Sequence, residues 1–446
     1  MRSRSALPPG PPLPPAMQMV GFWARPFAFL ERCRARYGKR FTIRLPFTPP
    51  FVMLTDPDQV KQVFTAPPDV LRPGQGARVL EPILGSNSVI LLDEAAHMQQ
   101  RKLMLPAFHG ERMERLTGLM EEVTREEVAA LPTGEPVALH PRMQELTLKV
   151  ILRTVFGLDP GPRFDALRQR LQEMLVFGDR PISLMPPKPD SLLARAAERA
   201  GPFAHFVQVQ AEVDELIFAL IAERRAEGAD RDDVLTMLLE ARHEDGSPMS
   251  EQEIRDELMT LLVAGHETSA SSLAWTFAQV VHEPAVLERL VEEVDAGEDA
   301  YVTATIQETL RTRPVLPNVA PRLVAKPIEV GGWTYSPGCS LVANSYLIHH
   351  DPDIYPDPYS FRPDRFLDET PGTYTWIPFG GGRRRCLGAS FAMLEMKVVL
   401  RTLLATCEVS AADGRVEVAQ RRNITVRPVG GARVVLGDRS RVPVAA

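Results

Sequence analysis

A thiol that could bind a metal lies in the most unusual stretch of this 446-residue chain. Residues 379–388 read Phe-Gly-Gly-Gly-Arg-Arg-Arg-Cys-Leu-Gly, and a helix-like run, 389–397, follows directly. Three consecutive glycines let the backbone turn tightly and approach a flat ligand. Cys386 lies at the start of the predicted helix, where unpaired N–H groups and three arginines favour a thiolate. Because a thiolate binds metals, the stretch predicts a metal or cofactor site.

Two alternatives for this stretch are weaker. A phosphate-binding loop also precedes a helix, but it follows a β-strand and continues with Lys-Ser or Lys-Thr rather than Arg-Arg-Arg-Cys. A structural cysteine in a turn is the simpler alternative. That interpretation suffices for Cys33, Cys339 and Cys407, which lack both the glycines and the arginines. The chemistry is therefore assigned to Cys386.

The pattern Phe379-x-x-Gly382-x-Arg384-x-Cys386-x-Gly388 resembles the haem-binding signature of the cytochromes P450, the haem-thiolate monooxygenases. The resemblance implies that Cys386 is the proximal ligand of the haem iron and that Phe379, Arg384 and Gly388 bind the cofactor, Arg384 through a propionate. A thiolate ligand pushes electron density toward bound oxygen and favours O–O cleavage.

The strongest helix signal runs from Ser250 to His282. Ser250 and Glu253 form a capping box, apolar residues recur at helical spacing, and Pro284 marks the end. At 1.5 Å per residue this helix is about 50 Å long, enough to cross a whole domain. Its centre, residues 264–269, reads Ala-Gly-His-Glu-Thr-Ser and departs from helix propensity, as functional segments do.

The resemblance places this centre over the iron on the oxygen-binding side. Ala264 would leave room for the cofactor, Thr268 would hydrogen-bond the oxygen ligand, and Glu267 would relay protons from solvent. For Thr268 alone, a hydroxyl bonded back to a carbonyl of its own helix is the alternative. We interpret His266 as structural, because it points away from the face of Ala264 and Thr268.

Further basic and acidic residues match family motifs. His97 and Arg101, four apart on a predicted helix at 94–105, could form a solvated face. The resemblance instead places them, with Arg322, against the haem propionates. It also pairs Glu308 and Arg311 of the family's Glu-x-x-Arg with Arg365 in a later loop; these three would support the proximal side without touching iron. Asp364 stands where the family more often has glutamate.

The substrate pocket is implied by analogy to include Leu261, Ala264, Val319 and Ile424. All four are apolar, which favours fatty acids, terpenoids, steroids or polyketides without choosing among them. A Gly- and Pro-rich stretch at 67–92 predicts a loop. The proline-rich stretch at 179–190 lies where the family has a mobile lid.

Composition predicts an ordinary globular protein, with 44% hydrophobic and 24% charged residues. No linker is visible, so we expect a proline-rich lead-in at 1–20 and a single domain at 21–446. The predicted fold is mainly α with minor β-sheets. In the cytochrome P450 fold that the resemblance implies, haem lies between the long distal helix and the helix that follows the cysteine loop.

The remaining features limit partners and location. A net charge of −6 does not indicate a nucleic-acid binder. No signal peptide or transmembrane helix is visible, and the four cysteines form no disulfide framework. We expect a monomer in a reducing cytoplasm.

The resemblance implies haem b, O₂ as co-substrate and electrons ultimately from NAD(P)H. No flavin or iron–sulfur module is fused, so we expect a separate ferredoxin or flavodoxin with its reductase. The expected reaction inserts one oxygen atom into a C–H or C=C bond of an apolar molecule. One alternative is a peroxide-driven peroxygenase, which would not need Glu267 and Thr268. The other is a haem-thiolate sensor or electron carrier, which would not need a pocket.

Overall fold

The computed structural model describes residues 7–108, 111–178, 202–228 and 231–439. Helices make up most of it, as expected. They are α1 (Pro15–Ala24), α2 (Pro26–Tyr37), α3 (Pro57–Thr65), α4 (Pro73–Gly76), α5 (Glu81–Leu84), α6 (Glu94–Met104), α7 (Glu111–Ala129), α8 (Leu139–Thr154), α9 (Pro162–Gly178), α10 (Pro202–Glu227), α11 (Val234–Glu240), α12 (Glu251–Val280), α13 (Pro284–Ala296), α14 (Ala300–Thr312), α15 (Ser345–His349), α16 (Arg365–Asp368) and α17 (Ala389–Thr406).

The strands are short and lie in small sheets. They are β1 (Arg40–Ile43), β2 (Phe51–Leu54), β3 (Leu71–Arg72), β4 (Pro136–Ala138), β5 (Arg322–Val324), β6 (Ile328–Val330), β7 (Trp333–Tyr335), β8 (Ser340–Ala343), β9 (Cys407–Ala411), β10 (Ala419–Arg422), β11 (Thr425–Pro428) and β12 (Arg433–Asp438). The largest sheet has the order β1-β2-β8-β5-β3, with β2 and β8 parallel and the other pairs antiparallel. A second sheet has the order β4-β12-β9, and β6-β7 and β10-β11 are separate hairpins.

Helix α12 is the central element, and the predicted capping box starts it. The Ser250 side chain accepts the N–H of Glu253 at 3.2 Å, and the Glu253 carboxylate accepts the N–H of Ser250 at 2.8 Å. The helix packs against α8, α14, α17 and β11. A methyl group on Gly265 would lie 3.3 Å from Cδ1 of Ile151 on α8, so this glycine sets how closely the two helices approach. The largest cluster of buried apolar side chains surrounds α12.

The stretch 67–92 is more ordered than the sequence predicts. It contains β3, the short helices α4 and α5 and a 3₁₀ turn, Arg78–Leu80. The Asp93 carboxylate accepts the N–H groups of Gly74 and Gln75, and Asp256 of α12 accepts the N–H of Asn87 at 3.0 Å. Carboxylates outside the stretch thus fix its short turns. The periodicity of the stretch itself cannot indicate these contacts, because the acceptors belong to other parts of the chain.

Two other expectations concern the surface of the fold. The stretch 179–190, interpreted above as a lid, lies outside the described residues. Within the described ranges, each helix is either too short or too polar to cross a bilayer.

Candidate active site

The loop that carries Cys386 is fixed against α3 by glycines. Gly380 and Gly382 have φ values of 66° and 65°, in the left-handed region that favours glycine. A methyl group on Gly382 would come within 2.4 Å of the carbonyl oxygen of Phe64. The N–H of Cys386 donates to the carbonyl of Phe379 at 2.9 Å and closes the loop before α17. At Gly382 the glycine is therefore needed for packing on α3, whereas the sequence analysis assigned the glycines to a flat ligand.

Cys386 differs from the other three cysteines, which are buried, because its residue surface is exposed. Protein still surrounds most of the thiol, and this burial raises the pKa of Cys386. The N–H of Gly388 and the charges of Arg101 and Arg385 act in the opposite direction but do not outweigh burial. The prediction that the three loop arginines and the helix start favour a thiolate has the right direction for Arg385 and for the N–H of Gly388, and Arg101 of α6 adds to them. The net pKa of Cys386 is nevertheless raised, because burial has the larger effect.

Four basic side chains converge from α6, β5 and the cysteine loop: His97, Arg101, Arg322 and Arg384. Burial, followed by the charges of Arg384, Arg101 and Arg322, lowers the pKa of His97 to about 3. Burial and Arg384 lower the pKa of Arg322 to about 10. Such mutual effects require proximity, so the structure brings the predicted propionate ligands together.

This basic cluster fits an anionic ligand. Arg384 is paired with Asp93 at 2.8 Å, but the buried Nε of Arg322 has no hydrogen-bond partner within the described residues. A buried, unpaired guanidinium nitrogen is costly unless an acceptor satisfies it. Guanidinium donors match carboxylates in geometry and charge. The residues present therefore fit the propionates of a haem.

Arg384 is the member of the cluster whose donors are most occupied. Its Nη1 donates to the carbonyls of Val89 and Ile90 at 3.2 and 3.4 Å, and its Nη2 contacts Leu92 and Asp93. These contacts tie the cysteine loop to the segment that precedes α6. The Nε–H of Arg384 takes no part in these contacts and could donate to a propionate. The contact of Arg384 with a propionate stays a prediction.

One face of α12 is accessible although most of the helix is buried. Leu261, Ala264 and Thr268 lie on this face, at the spacing of one and two helical turns, and each has solvent-accessible surface. Ala264 is classed as exposed in the middle of the helix, between stretches of buried residues. A small side chain beside accessible space fits a flat ligand, as the sequence analysis expects.

The Thr268 hydroxyl is bonded to its own helix. Its Oγ1 donates to the carbonyl oxygen of Ala264 at 2.5 Å, which is the simpler alternative considered above. This bond does not remove the functional role, since the hydroxyl oxygen keeps lone pairs that can accept a hydrogen bond. It fixes the hydroxyl as an acceptor toward the accessible face.

Glu267 points to a different side of α12, toward α8 and the β10–β11 turn. Its carboxylate contacts His140, Gln144, Ser271 and Arg422. Burial alone would raise the pKa of Glu267, but the hydrogen bonds from His140 and Ser271 and the electrostatic interaction with His140 hold it below the usual range. Sequence reasoning missed His140, Gln144 and Arg422. The only signal was the four-residue spacing of the first two on one face of α8.

His266 is buried against α8, in agreement with its structural interpretation. Its Nδ1 lies 2.9 Å from the hydroxyl of Thr147. Burial lowers the pKa of His266 to about 4, so the ring is neutral in the protein at neutral pH.

The supporting residues on the proximal side also meet. Arg311 donates through Nε and Nη2 to both oxygens of Glu308, at 2.6 and 2.8 Å. Arg365 donates through Nε to Glu308 at 3.1 Å. Arg311 also bonds the carbonyls of His349 and Pro358, and His349 Nε2 accepts the N–H of Ile377 just before the cysteine loop. The group therefore connects α14 to the loop.

The last two predicted pocket residues come from separate turns. Val319 precedes β5 and donates its N–H to the carbonyl of Ala343 at 2.9 Å, so the large sheet positions it. Ile424 lies in the β10–β11 turn with its side chain exposed, after Asn423 at a φ of 57°. Both present apolar surface, and their role in the pocket stays a prediction.

Comparison with known proteins assigns a class to this fold and site. The family model of cytochrome P450 matches residues 8–434, and the chain belongs to the cytochrome P450 family. Two relatives from Mycobacterium tuberculosis are cytochrome P450 135B1, 38% identical over 97% of this chain and 92% of the relative, and cytochrome P450 138, 39% identical over 97% and 98%.

Solved structures agree on the fold. A cyanobacterial cytochrome P450 with bound retinoic acid, CYP120A1, has a TM-score of 0.82 and 22% identity, covering 98% of this chain and 100% of the other. The haem domain of cytochrome P450DA has a TM-score of 0.84 and 23% identity, covering 98% of each chain. The chain is a haem-thiolate monooxygenase that uses haem b, O₂ and electrons from NAD(P)H through partners, as its family does.

Proposed function

We propose that this enzyme inserts one oxygen atom from O₂ into a C–H or C=C bond of a fatty acid, terpenoid, steroid or polyketide. We further propose that a separate ferredoxin or flavodoxin with its reductase delivers the electrons. The protein would be a monomer with a single domain and would act in the cytoplasm. Four unpaired cysteines support the reducing compartment.

The observation that carries the substrate class is the accessible apolar face of α12. Leu261 and Ala264 present only hydrocarbon beside Thr268. An apolar substrate would gain free energy by covering these side chains. Val319 and Ile424 would extend the same apolar lining.

The cofactor would be held by Cys386 through iron and by His97, Arg101, Arg322 and Arg384 through its propionates. Phe379 and Gly388 would lie against the ring; a methyl group on Gly388 would meet no protein atom within 4 Å. When bound, haem supplies the oxidising chemistry, and the chain supplies the ligand, protons and orientation. Glu308, Arg311 and Arg365 would keep the loop in place.

The acid–alcohol pair favours the O₂-dependent reaction over the peroxide-driven one. A peroxide-driven enzyme receives its oxygen already reduced and with both protons, so it needs no net delivery of protons from solvent. Thr268 faces the accessible side as a hydrogen-bond acceptor, and the ionised Glu267 is connected to α8. We therefore propose Thr268 and Glu267 as the residues that handle protons.

A binding screen tests the proposal. Spectral shifts of the purified haem protein should identify ligands within the four compound classes, and turnover with ferredoxin and O₂ should exceed turnover with hydrogen peroxide. Leu261→Phe, which narrows the accessible face, should change the ranking of ligands by chain width. Cys386→His should lose the red-shifted Soret band of the reduced carbon monoxide adduct. A fully loaded protein that binds none of the four classes would contradict the substrate assignment.

A further inference from the structure

The carboxylate of Glu267 is enclosed by four hydrogen-bonding groups from three elements. His140 Nε2 lies 3.3 Å and Ser271 Oγ lies 2.9 Å from Oε1. Gln144 Nε2 and Arg422 Nη1 lie 2.6 and 3.2 Å from Oε2. An ionised carboxylate offers about four lone-pair sites, so these donors account for its acceptor capacity.

These four partners differ in whether they can exchange a proton. A guanidinium stays charged at any physiological pH, and an amide does not ionise. A serine hydroxyl passes a proton on only if it receives another. Imidazole is the side chain that gains and loses a proton between about pH 5 and 8. Among the groups that touch Glu267, His140 is therefore the one suited to supply protons.

His140 also lies beside exposed residues at the start of α8. It lies in the first turn of α8, where its backbone N–H donates to Gly431 at 2.9 Å. Its side chain is buried, whereas the next two residues, Pro141 and Arg142, are exposed. Its Nε2 lies 3.1 Å from Ser271 Oγ as well as near Glu267, which fixes the ring toward α12.

The charges around the pair are mixed. Arg422 at the end of β10 faces Glu267. Burial and the positive charge of Arg427 in β11 lower the pKa of Arg422 to about 10. His266 of α12 and Glu145 of α8 are the other titratable groups nearby, and His266 is buried and neutral. Arg422 therefore adds a positive charge beside the Glu267 carboxylate, whose pKa lies below its usual range.

We propose that His140 is the proton-exchange partner of Glu267 and reloads it during O₂-dependent turnover; this inference rests on the proposed monooxygenase function. In the step, the Nε2–H bond of the imidazolium breaks and an Oε1–H bond forms, so that both charges disappear. The neutral imidazole then regains a proton from solvent. His140 is a positioning residue in the sense that it acts through Glu267 and does not touch the substrate.

A measurement that needs no turnover tests the pairing. Protein with ¹³C-labelled histidine, haem-loaded and in the diamagnetic reduced carbon monoxide form, gives one resonance per histidine. His140→Gln identifies the resonance of His140 by its loss. Replacing the carboxylate with Glu267→Gln should shift this resonance at constant pH, because the change removes the anionic acceptor that lies 3.3 Å from Nε2. An unchanged resonance would overturn the proposal.

A second measurement tests the transfer. His140→Gln should raise the fraction of consumed O₂ that is released as hydrogen peroxide several-fold and flatten its dependence on pH between about 5 and 8. Gln144→Ala is the matched control, because it removes a donor from the same carboxylate without removing a titratable group. It should keep the wild-type shape of the pH profile. A His140→Gln profile that matches wild type would contradict the proposal.

The two proposals fail in different ways. Wild-type protein that lacks the thiolate carbon monoxide band, or that consumes no O₂ with ferredoxin, would contradict the proposed function. Normal spectra and O₂ consumption with no effect of His140→Gln would contradict the role of His140 alone.

Discussion

Thr268 donates its hydroxyl hydrogen to the carbonyl of Ala264, one turn earlier in α12. The hydrogen bond satisfies a carbonyl that faces accessible space, and it leaves the hydroxyl oxygen free to accept. The Thr268 hydroxyl therefore stabilises the local helix and is also proposed to handle protons. Substitutions that keep or remove only the hydroxyl can separate the two.

Thr268→Ala should leave haem content and ligand-induced spectral shifts intact while diverting electrons to hydrogen peroxide, several-fold above wild type. Thr268→Ser keeps the hydroxyl and should stay close to wild type. The measurement is hydrogen peroxide formed per NAD(P)H consumed. If both variants form no more hydrogen peroxide per NAD(P)H than wild type, Thr268 has no part in proton handling.

Glu395 on α17 is a buried acid that no sequence motif indicated. It is fully buried, and neither carboxylate oxygen has a hydrogen-bond partner within the described residues. Burial raises the pKa of Glu395 from 4.5 to about 8, and nearby Ser269 only partly opposes this. Glu395 is therefore a neutral carboxylic acid in the folded protein at neutral pH.

Stability should depend on pH through Glu395. The unfolded chain releases this proton near pH 4.5, whereas the folded protein holds it until about pH 8. The contribution is thus fully present below about pH 4.5 and is lost as pH rises toward 8. Glu395→Gln cannot ionise, so its melting temperature should rise relative to wild type between pH 5 and 8. Glu408→Gln, at an exposed site, is the control. A constant difference across this range would contradict the buried, neutral assignment.

At the scale of elements, the cysteine loop depends on its contact with α3. A methyl group on Gly382 would meet the backbone of Phe64 and would also force a side chain into a φ of 65°. Gly388 has neither constraint, since its φ is −86° and its added methyl group would meet nothing within 4 Å.

Gly382→Ala should therefore lower the melting temperature and speed the loss of haem to a haem-binding acceptor protein. Gly388→Ala should leave the packing of the loop intact. Any loss of haem from Gly388→Ala at unchanged loop stability would indicate that residue 388 lies against the cofactor. Equal stability of Gly382→Ala and wild type would show that the loop does not depend on α3.

The elements also show what the sequence could predict. Helix α12 carries its own start signal, Ser250 with Glu253, and a stop at Pro284, so local patterns are enough. Two partners of Glu267 are different, since His140 and Arg422 are 127 and 155 residues away in the chain. No local spacing indicates such a contact. The pKa of Cys386 was missed for the same reason, because burial is a property of the whole fold.

At the scale of the whole molecule, a net charge of −6 coexists with a basic loop beside the predicted haem ligand. Arg384 is paired with Asp93, whereas Arg383 and Arg385 are both exposed and make no ion pair within the described residues. Unpaired surface arginines next to the cysteine suit an acidic electron donor such as a ferredoxin or flavodoxin.

Electron transfer from an acidic ferredoxin should therefore slow as ionic strength rises. Salt at 0.15 M screens exposed charges beyond about 8 Å, and such charges govern the association rate more than the final affinity. Arg383→Glu and Arg385→Glu should lower the second-order rate of first-electron transfer and flatten its dependence on salt. Arg415→Glu makes the same charge change at a highly exposed arginine outside the loop, and it should behave as wild type. Rates and salt slopes that are the same in all four proteins would place the docking surface away from the cysteine loop.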